Sequence, residues 1–250
     1  MKALITGASS GIGKDMARYL DSLGYDLVIV ARREERLKEL SKELKNNVRI
    51  INLDLAKIDN VYKLYELTKD DDIDLLVNNA GFGLFGMTYK TDLNRELEMI
   101  DLNIKALHIL TKLFLKDFVA KDRGRILNVA SSAGFMAGPR LNTYYATKNY
   151  VLRFSTAIYE ELKRMKSNVH ISVLCPGPVE TEFNKVAKGD FLMKGQRSDV
   201  VAKRGIDGCL KNKLVIVPSL GMKIALFFNK LVPMKLSLYV TYFIQERKSK

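Results

Sequence analysis

Cysteine and histidine are scarce in this sequence, which has two of each among its 250 residues. Cys175 and Cys209 give no disulfide framework, and so small a number fits a reducing cytoplasm, where we expect the protein to be located. His108 and His170 have no second histidine and no carboxylate at metal-ligand spacing. We therefore predict neither a metal site nor a catalytic histidine.

The sequence also lacks an uninterrupted apolar segment and the pattern of a signal peptide. The N-terminus reaches its first glycine at residue 7, too soon for the charged, apolar and cleavage regions of a signal, so we do not expect secretion. Residues 220–244 are strongly apolar but are interrupted by lysines and by Pro233. They are interpreted as a pair of amphipathic helices that line a pocket, form an oligomer interface or contact an anionic membrane surface.

Acidic residues are few relative to basic ones: 28 Asp and Glu against 41 Lys and Arg, a formal charge of +13. From residue 185 onwards the counts are 4 and 14, so most of the excess lies in the C-terminal quarter. The sequence contains no zinc-ligand spacing, no aromatic RNA-binding motif and no run of five basic residues, and we expect no nucleic-acid partner. The excess charge is either a solvated surface or a contact for an anionic partner.

Strand-compatible apolar runs alternate with helical patterns along the chain. The strands are predicted at residues 2–6, 26–30, 48–53, 74–77, 125–129, 169–174 and 214–217. This alternation is typical of a parallel sheet that is covered by helices on both faces. No linker interrupts it, so we predict one α/β domain over residues 1–250 with a seven-stranded, mostly parallel sheet.

The first predicted strand leads into a glycine turn with the spacing Thr-Gly-x-x-x-Gly-x-Gly, formed by Gly7, Gly11 and Gly13. A helix follows, with apolar residues at helical spacing from Ile12 and with Gly24 placed to end it. Small residues before a helix let the backbone approach a pyrophosphate, and the helix N-terminus offers free amides to that anion. The turn therefore predicts the first half of a dinucleotide-binding unit.

Tyr144 and Lys148 are four residues apart, so on a helix their side chains lean over one pocket. A phenol has an ordinary pKa of about 10, and we expect the neighbouring ammonium to lower the pKa of Tyr144. Ser131 lies on the loop just upstream. This arrangement makes Tyr144 a candidate general acid/base.

These motifs resemble the short-chain dehydrogenase/reductase family from end to end of the chain. Besides the glycine turn and the spacing of Ser131, Tyr144 and Lys148, the sequence contains Asn-Asn-Ala-Gly at 78–81 and Pro-Gly-x-Val-x-Thr at 176–181. The resemblance implies a doubly wound Rossmann-type fold with a nicotinamide dinucleotide cofactor. It also implies a homodimer or homotetramer and favours Ser131 over Ser132, while the lysine spacing favours Tyr144 over Tyr145.

The resemblance also implies a set of residues that bind the cofactor. Asp54 is expected to contact the adenine, although without the resemblance it would be interpreted as a helix cap. The full set is Gly7, Ser9, Ser10, Gly11, Ile12, Gly13, Arg32, Arg33, Asp54, Leu55, Asn79, Ala80, Gly81, Tyr144, Lys148, Pro176, Gly177, Val179 and Thr181.

The second predicted strand is followed by Arg32 and Arg33, where a carboxylate would instead bind the ribose hydroxyls of NAD. Arginine pairs with a 2′-phosphate, so we predict NADP(H) with Arg32 as the main contact. Arg33 is a second contact or a stacking partner of the adenine. The alternative interpretation is that both arginines belong to a charged surface helix.

A long helix is predicted over residues 92–118, and Asn103 lies in its middle. The resemblance implies that Asn103 kinks this helix and supports a proton relay as a fourth catalytic residue. A purely structural asparagine is the alternative. The resemblance also places a substrate lid at about 182–213, ahead of an apolar and basic extension at about 219–250.

The sequence thus predicts an NADP(H)-dependent oxidoreductase that interconverts a ketone and a secondary alcohol. Tyr144 would act as general acid/base, and the apolar C-terminal region favours a lipophilic substrate, either 3-ketoacyl or hydroxysteroid-like. The alternative is a nucleotide-sensing or membrane-surface binding protein that keeps the fold without turnover.

Overall fold

A computed structural model describes residues 1–183, 187 and 195–246 of the chain. Seven strands form one sheet in the order β3-β2-β1-β4-β5-β6-β9, and every neighbouring pair is parallel. The prediction of a seven-stranded, mostly parallel sheet with helices on both faces is confirmed. The chain reverses its direction of travel across the sheet between β1 and β4, which is where open α/β sheets bind ligands.

The strands are β1 Lys2–Thr6, β2 Asp26–Ala31, β3 Val48–Asn52, β4 Leu75–Asn78, β5 Gly124–Val129, β6 Val169–Leu174, β7 Val179–Glu180, β8 Gln196–Arg197 and β9 Val215–Ile216. The helices are α1 Gly11–Ser22, α2 Glu34–Glu43, α3 Ile58–Thr68, α4 Leu93–Ile100, α5 Leu107–Lys121, α6 Asn142–Arg164, α7 Ser198–Leu210, α8 Leu220–Asn229 and α9 Met234–Glu246. β7 and β8 pair separately from the large sheet.

Two layers of apolar side chains cover the faces of the sheet because successive residues of a strand point to opposite sides. Along β1, Ile5 packs on one face with Met16 of α1. Its neighbour Leu4 packs on the other face with Phe114 of α5. All four side chains are fully buried. This packing holds β1 in the core, so that its carboxyl end lies where the strands open to solvent.

The predicted helix over 92–118 is interrupted in the structure by a π-helical turn at Asp101–Ala106, which separates α4 from α5. Asn103 lies in this turn and is buried. A π-turn inserts one residue into the helical repeat and is frequent at functional sites. The structure thus shows a change of helix type at Asn103, and the kink implied there stays a prediction.

The predicted lid over 182–213 includes a helix that belongs to the core. Residues 184–186 and 188–194 lie outside the described part of the chain. Residues 198–210 form α7, whose Val201, Ala202 and Ile206 are fully buried in the core layer beside α1. A helix packed in this way supports the sheet, which does not fit a lid at 198–210. A lid elsewhere in the predicted segment stays a prediction. Within the described ranges, no helix is both long and apolar enough to cross a bilayer.

Candidate functional site

A cleft of about 380 Å³ opens at the carboxyl ends of the central strands. It is lined by all of the predicted catalytic and cofactor-binding residues except Gly13 and Asn103. Motifs that are separated by up to 174 positions in the sequence, from Gly7 to Thr181, therefore meet in one place. A volume of this size is typical of a small-molecule site.

Ser131, Tyr144 and Lys148 converge in this cleft. Ser131 follows β5 and caps a short 3-10 helix by accepting a hydrogen bond from the amide of Ala133. Tyr144 and Lys148 lie on the first turns of α6, and the Ser131 hydroxyl lies beside the Tyr144 phenol. The Lys148 Nζ donates to the carbonyl of Val129 at 2.8 Å and lies 5.9 Å from the centre of the Tyr144 ring.

Burial dominates the ionisation of these groups. It raises the pKa of Tyr144 to about 12, and the Ser131 hydrogen bond offsets this only in part. It lowers the pKa of Lys148 to about 8. The expected lowering of the Tyr144 pKa by Lys148 is therefore wrong for this structure, because the cost of desolvating a phenolate is larger and Nζ bonds to a carbonyl instead. At neutral pH the phenol holds its proton.

Ser132 and Tyr145, which adjoin Ser131 and Tyr144 in the chain, form other hydrogen bonds. The Ser132 amide donates to the carbonyl of Pro176 at 2.8 Å. The Tyr145 hydroxyl accepts from Nε2 of Gln245 at 2.7 Å. Ser132 and Tyr145 both line the cleft, but the hydroxyl that acts on the pKa of the Tyr144 phenol is that of Ser131.

Asn103 supports the cleft from behind. Its Oδ1 accepts from the amide of Phe82, and its Nδ2 donates to the carbonyl of Phe82 and to Oγ1 of Thr147. A Cβ on Gly81 would lie only 2.8 Å from that Oδ1. The side chain thus holds the loop after β4 against α6, which is the structural role. A relay role for Asn103 stays a prediction.

The glycine turn has the shape that a pyrophosphate requires. Gly7 adopts a φ of +72°, and a Cβ on Gly13 would lie 2.5 Å from the carbonyl oxygen of Gly7. Ser10 is the N-cap residue of α1, yet its side chain makes no capping hydrogen bond. Because the first amides of a helix have no partner within it, this end of α1 offers donors to an anion. The residues present fit a dinucleotide.

Arg33, and not Arg32, lies beside the serines of this turn. Its Nη2 donates to Oγ of Ser10 at 2.7 Å and to Oγ of Ser9 at 3.2 Å. Arg32 turns towards Oε1 of Glu98 at 3.3 Å, with Oδ2 of Asp54 at 3.8 Å. One guanidinium and two hydroxyls therefore form the set of donors next to the turn.

Glu182 lies beside this donor set and pairs with two arginines. It was not identified from the sequence. Its carboxylate accepts from Nη1 of Arg36 at 2.7 Å and from Nη1 of Arg33 at 2.8 Å. Hydrogen bonds from Arg36, the larger effect, and from Arg33 hold the pKa of the Glu182 carboxyl below its usual value. A carboxylate thus already neutralises part of the positive charge at this end of the cleft.

The remaining cofactor residues combine scaffold and lining roles. Oδ1 of Asp54 accepts from the amide of Ala56 at 3.1 Å, a local turn that leaves the residue on the cleft wall. Nδ2 of Asn79 donates to the carbonyls of Thr6 and Gly7. Nδ2 of Asn78 donates to Oδ1 of Asn128 at 2.9 Å and so ties β4 to β5.

Phe82, Phe183 and Gln245 line the cleft and were not identified from the sequence. The Phe183 ring lies 5.2 Å from the Tyr144 ring and covers it. Gln245 comes from α9 and is 1% exposed, and its Oε1 has no hydrogen-bond partner among the described residues. No local pattern in the sequence marked Phe183 in the predicted lid or Gln245 in the C-terminal extension. Their contacts with Tyr144 and Tyr145 join residues that are far apart in the chain.

Cysteine and histidine play no part in this arrangement. Cys175 is fully buried behind the cleft, and burial raises the pKa of its thiol to about 12. A thiol in this state packs as an apolar side chain. His108 lies on α5, with Nδ1 2.7 Å from the hydroxyl of Tyr150 and its ring stacked on Phe154.

Comparison with known proteins agrees with this geometry. A family model described as short chain dehydrogenase matches residues 1–190. A Haemophilus influenzae protein named "Probable NADP-dependent dehydrogenase" is 38% identical over 192 residues, which cover 74% of each chain. The NADP-dependent 3-hydroxy acid dehydrogenase of Shigella flexneri is 35% identical over 76% of this chain and 78% of its own.

A solved structure is similar over almost the whole length. The short-chain dehydrogenase from Sphingobium yanoikuyae in complex with NADPH superposes with a TM-score of 0.84 at 30% identity, covering 92% of this chain and 91% of its own. With the family model matching more than half of the sequence, the conclusion is direct: the chain belongs to the short-chain dehydrogenase family.

Proposed function

We propose that this protein is an NADP(H)-dependent oxidoreductase that interconverts a ketone and a secondary alcohol on a lipophilic substrate. The observation that carries the proposal is the partly buried Tyr144 phenol, which keeps its proton at neutral pH and lies beside Ser131 in the same cleft as the glycine turn. The relatives named above support the NADP(H) dependence.

When bound, the nicotinamide would supply or accept the hydride. In reduction, the Ser131 hydroxyl donates a hydrogen bond to the substrate carbonyl oxygen, and Tyr144 transfers its proton to that oxygen as negative charge develops on it. The hydrogen bond from Lys148 Nζ to the carbonyl of Val129 holds α6 against the end of β5 at one side of the pocket. Because the phenol stays protonated at neutral pH, it is in the state that reduction requires, whereas oxidation requires a phenolate.

The cleft also contains residues that can bind the cofactor. The amides at the start of α1 suit the pyrophosphate, and the loops after β3 and β4 supply Asp54 and Asn79 to the cleft wall. The donor set of Ser9, Ser10 and Arg33 suits a 2′-phosphate, because guanidinium pairs strongly with that group.

Replacing Arg33 with alanine should weaken NADPH binding and leave NADH binding nearly unchanged. Hydrogen bonds to charged groups contribute about 1.5–3 kcal/mol each, so we expect a loss of about 10- to 100-fold in NADPH affinity. Calorimetric titration of both nucleotides measures the ratio directly.

Arg32→Ala is the matched control for this substitution, since it removes an adjacent arginine that faces Glu98. We expect it to change the NADPH to NADH ratio less than Arg33→Ala does. An unchanged ratio in Arg33→Ala would contradict the assignment of the phosphate site, and a larger effect of Arg32→Ala would restore the order expected from the sequence.

The substrate proposal is supported by the apolar lining of the cleft, which includes Phe82, Leu102, Leu141 and Phe183. Its test is NADPH oxidation, followed by absorbance, against short ketones, 3-ketoacyl thioesters and ketosteroids. We expect the long-chain and steroid ketones to give the highest kcat/KM, since each buried CH₂ contributes about 0.8 kcal/mol. A preference for short polar ketones would overturn the lipophilic substrate class.

A further inference from the structure

The last two helices expose an unusual amount of apolar surface. The C-terminal apolar surface comprises Phe227, Phe228, Leu231, Leu236, Tyr239 and Phe243, with exposed fractions between 44% and 69%. Residues 220–246 contain half of the exposed large hydrophobic side chains of the described chain. A patch of this kind marks an interaction site, whereas single exposed apolar residues are ordinary.

The orientation of α9 shows that this surface faces away from the protein. Its buried residues are polar: Thr241 donates to the carbonyl of Ser237, and Gln245 donates to Tyr145. In α8 only Leu226 is buried. A helix that packs on its own core and faces water has the opposite arrangement, with the apolar side inwards. The exposed side therefore suits an apolar environment outside the protein.

The charge around the surface has one sign. Lys223, Lys230 and Lys235 are exposed on the two helices, and none of them forms an ion pair with a described residue. No aspartate or glutamate occurs from residue 208 to residue 245. Glu246, the next acidic residue, pairs with Arg140 at 3.1 Å. The surface thus combines apolar side chains with uncompensated positive charge.

This combination of apolar surface and positive charge distinguishes between two partners for the surface, a second copy of the chain and an anionic bilayer. In a symmetric dimer the same patch meets itself, so the lysines of one copy would find no acidic partner in the patch of the other. An anionic bilayer instead supplies negative headgroups to the lysines and an apolar boundary to the aromatic residues. We infer that the C-terminal apolar surface docks this protein on the surface of an anionic lipid bilayer.

The helices can lie on a bilayer but not cross it. α8 has 10 residues and α9 has 13, which correspond to about 15–20 Å of helix, shorter than the roughly 30 Å of a hydrocarbon core. Gln245 of α9 also lines the cleft, and Met222 of α8 lies against Gly177. Docking therefore places a wall of the cleft beside lipid. The link to a lipophilic substrate rests on the proposed function, but the docking itself does not.

The test is co-sedimentation of the full chain with vesicles of phosphatidylcholine and phosphatidylglycerol, compared with phosphatidylcholine alone. We expect binding to the anionic vesicles that weakens at high salt. The variant Lys223→Gln/Lys230→Gln/Lys235→Gln should lose about 100-fold in affinity, since each basic residue near the surface contributes roughly fivefold. Phe227→Ser/Phe228→Ser should lose about tenfold or more.

Tyr62→Ser/Leu67→Ser is the matched control, because it removes two exposed apolar residues from α3. We expect it to bind vesicles as the unsubstituted protein does. Equal binding to neutral vesicles, or none to anionic ones, overturns the inference. So does a Phe227→Ser/Phe228→Ser variant that changes from dimer to monomer in light scattering while still binding vesicles.

The same samples separate this inference from the proposed reaction. NADPH oxidation with a water-soluble ketone in the absence of vesicles should be unchanged in the lysine variant. Turnover without vesicle binding would remove the docking alone, whereas vesicle binding without turnover would remove the reaction alone.

Discussion

Replacing Tyr144 with phenylalanine should lower kcat for ketone reduction by about 10²- to 10⁴-fold, the range that a positioned general acid contributes. The ring is kept, so its contacts with Phe183 and the fold should persist. Only the hydroxyl beside Ser131 is lost. The measurement is steady-state NADPH oxidation with the best ketone of the panel, together with NADPH affinity, which should change little.

The adjacent tyrosine provides the control for that experiment. Tyr145→Phe removes a hydroxyl from the same cleft, but one that bonds to Gln245 of α9. We expect a change in kcat of less than about tenfold, since one neutral hydrogen bond contributes about 1 kcal/mol. Full turnover in Tyr144→Phe, or equal losses in both variants, would refute Tyr144 as the proton donor.

Replacing Lys148 with methionine should stabilise the protein and abolish most of its turnover. The lysine is buried, and burial lowers its pKa from 10.5 to about 8. At pH 7 the folded protein therefore bears a cost of about 3 kcal/mol for the charged form. Methionine removes this cost and also removes a hydrogen bond to Val129, which contributes about 1 kcal/mol. The expected net gain is about 2 kcal/mol in the free energy of unfolding.

The pH dependence of that gain follows from the direction of the pKa shift. Between pH 8 and 10.5 the unfolded lysine binds more protons than the folded one, so the stability of the unsubstituted protein rises with pH. Below pH 8 both states are protonated, and the cost is constant. The advantage of Lys148→Met should therefore be full at pH 7 and shrink as the pH increases from 8 towards 10.5.

Urea unfolding of the nucleotide-free protein between pH 7 and 10 measures this difference. Lys163→Met is the control, because Lys163 lies exposed on the same helix. We expect no pH-dependent difference for it over this window. A Lys148→Met variant that is less stable than the unsubstituted protein at pH 7 would show that its ammonium is favourably solvated in the folded state.

The sequence predicted the strands well because each one is a short apolar run between turns. β1 and β6 have the predicted bounds, and β2 and β5 differ by one residue at one end. β9 is shorter than expected, at Val215–Ile216. The π-turn was not predicted as such, because one inserted residue barely alters an apolar repeat of three and four.

The site was predictable where its chemistry lies in local motifs. Gly7, Ser131 and Thr181 belong to contiguous segments, so their spacing identified them, and all three line the cleft. Gln245 and Glu182 could not be found in this way. Their partners lie 100 and about 150 positions away in the chain, and no local pattern encodes a contact of that range.

The direction of the Tyr144 pKa was wrong for a related reason. The sequence shows that a lysine follows four residues later, but it does not show how deeply the phenol is buried. Desolvation depends on all of the elements packed around a group. The two arginines illustrate the same limit: Arg32 and Arg33 are adjacent, and only the folded chain shows which of them meets Ser9 and Ser10.

The bond between Gln245 and Tyr145 also affects when the site can come into being during synthesis. Gly7 and Gln245 line one cleft although 238 positions separate them. At 5–20 residues per second, a ribosome needs about 10–50 s between making the two. The glycine turn and the sheet can thus begin to form on a nascent chain whose cleft still lacks one wall, and that wall is added only once α9 has emerged.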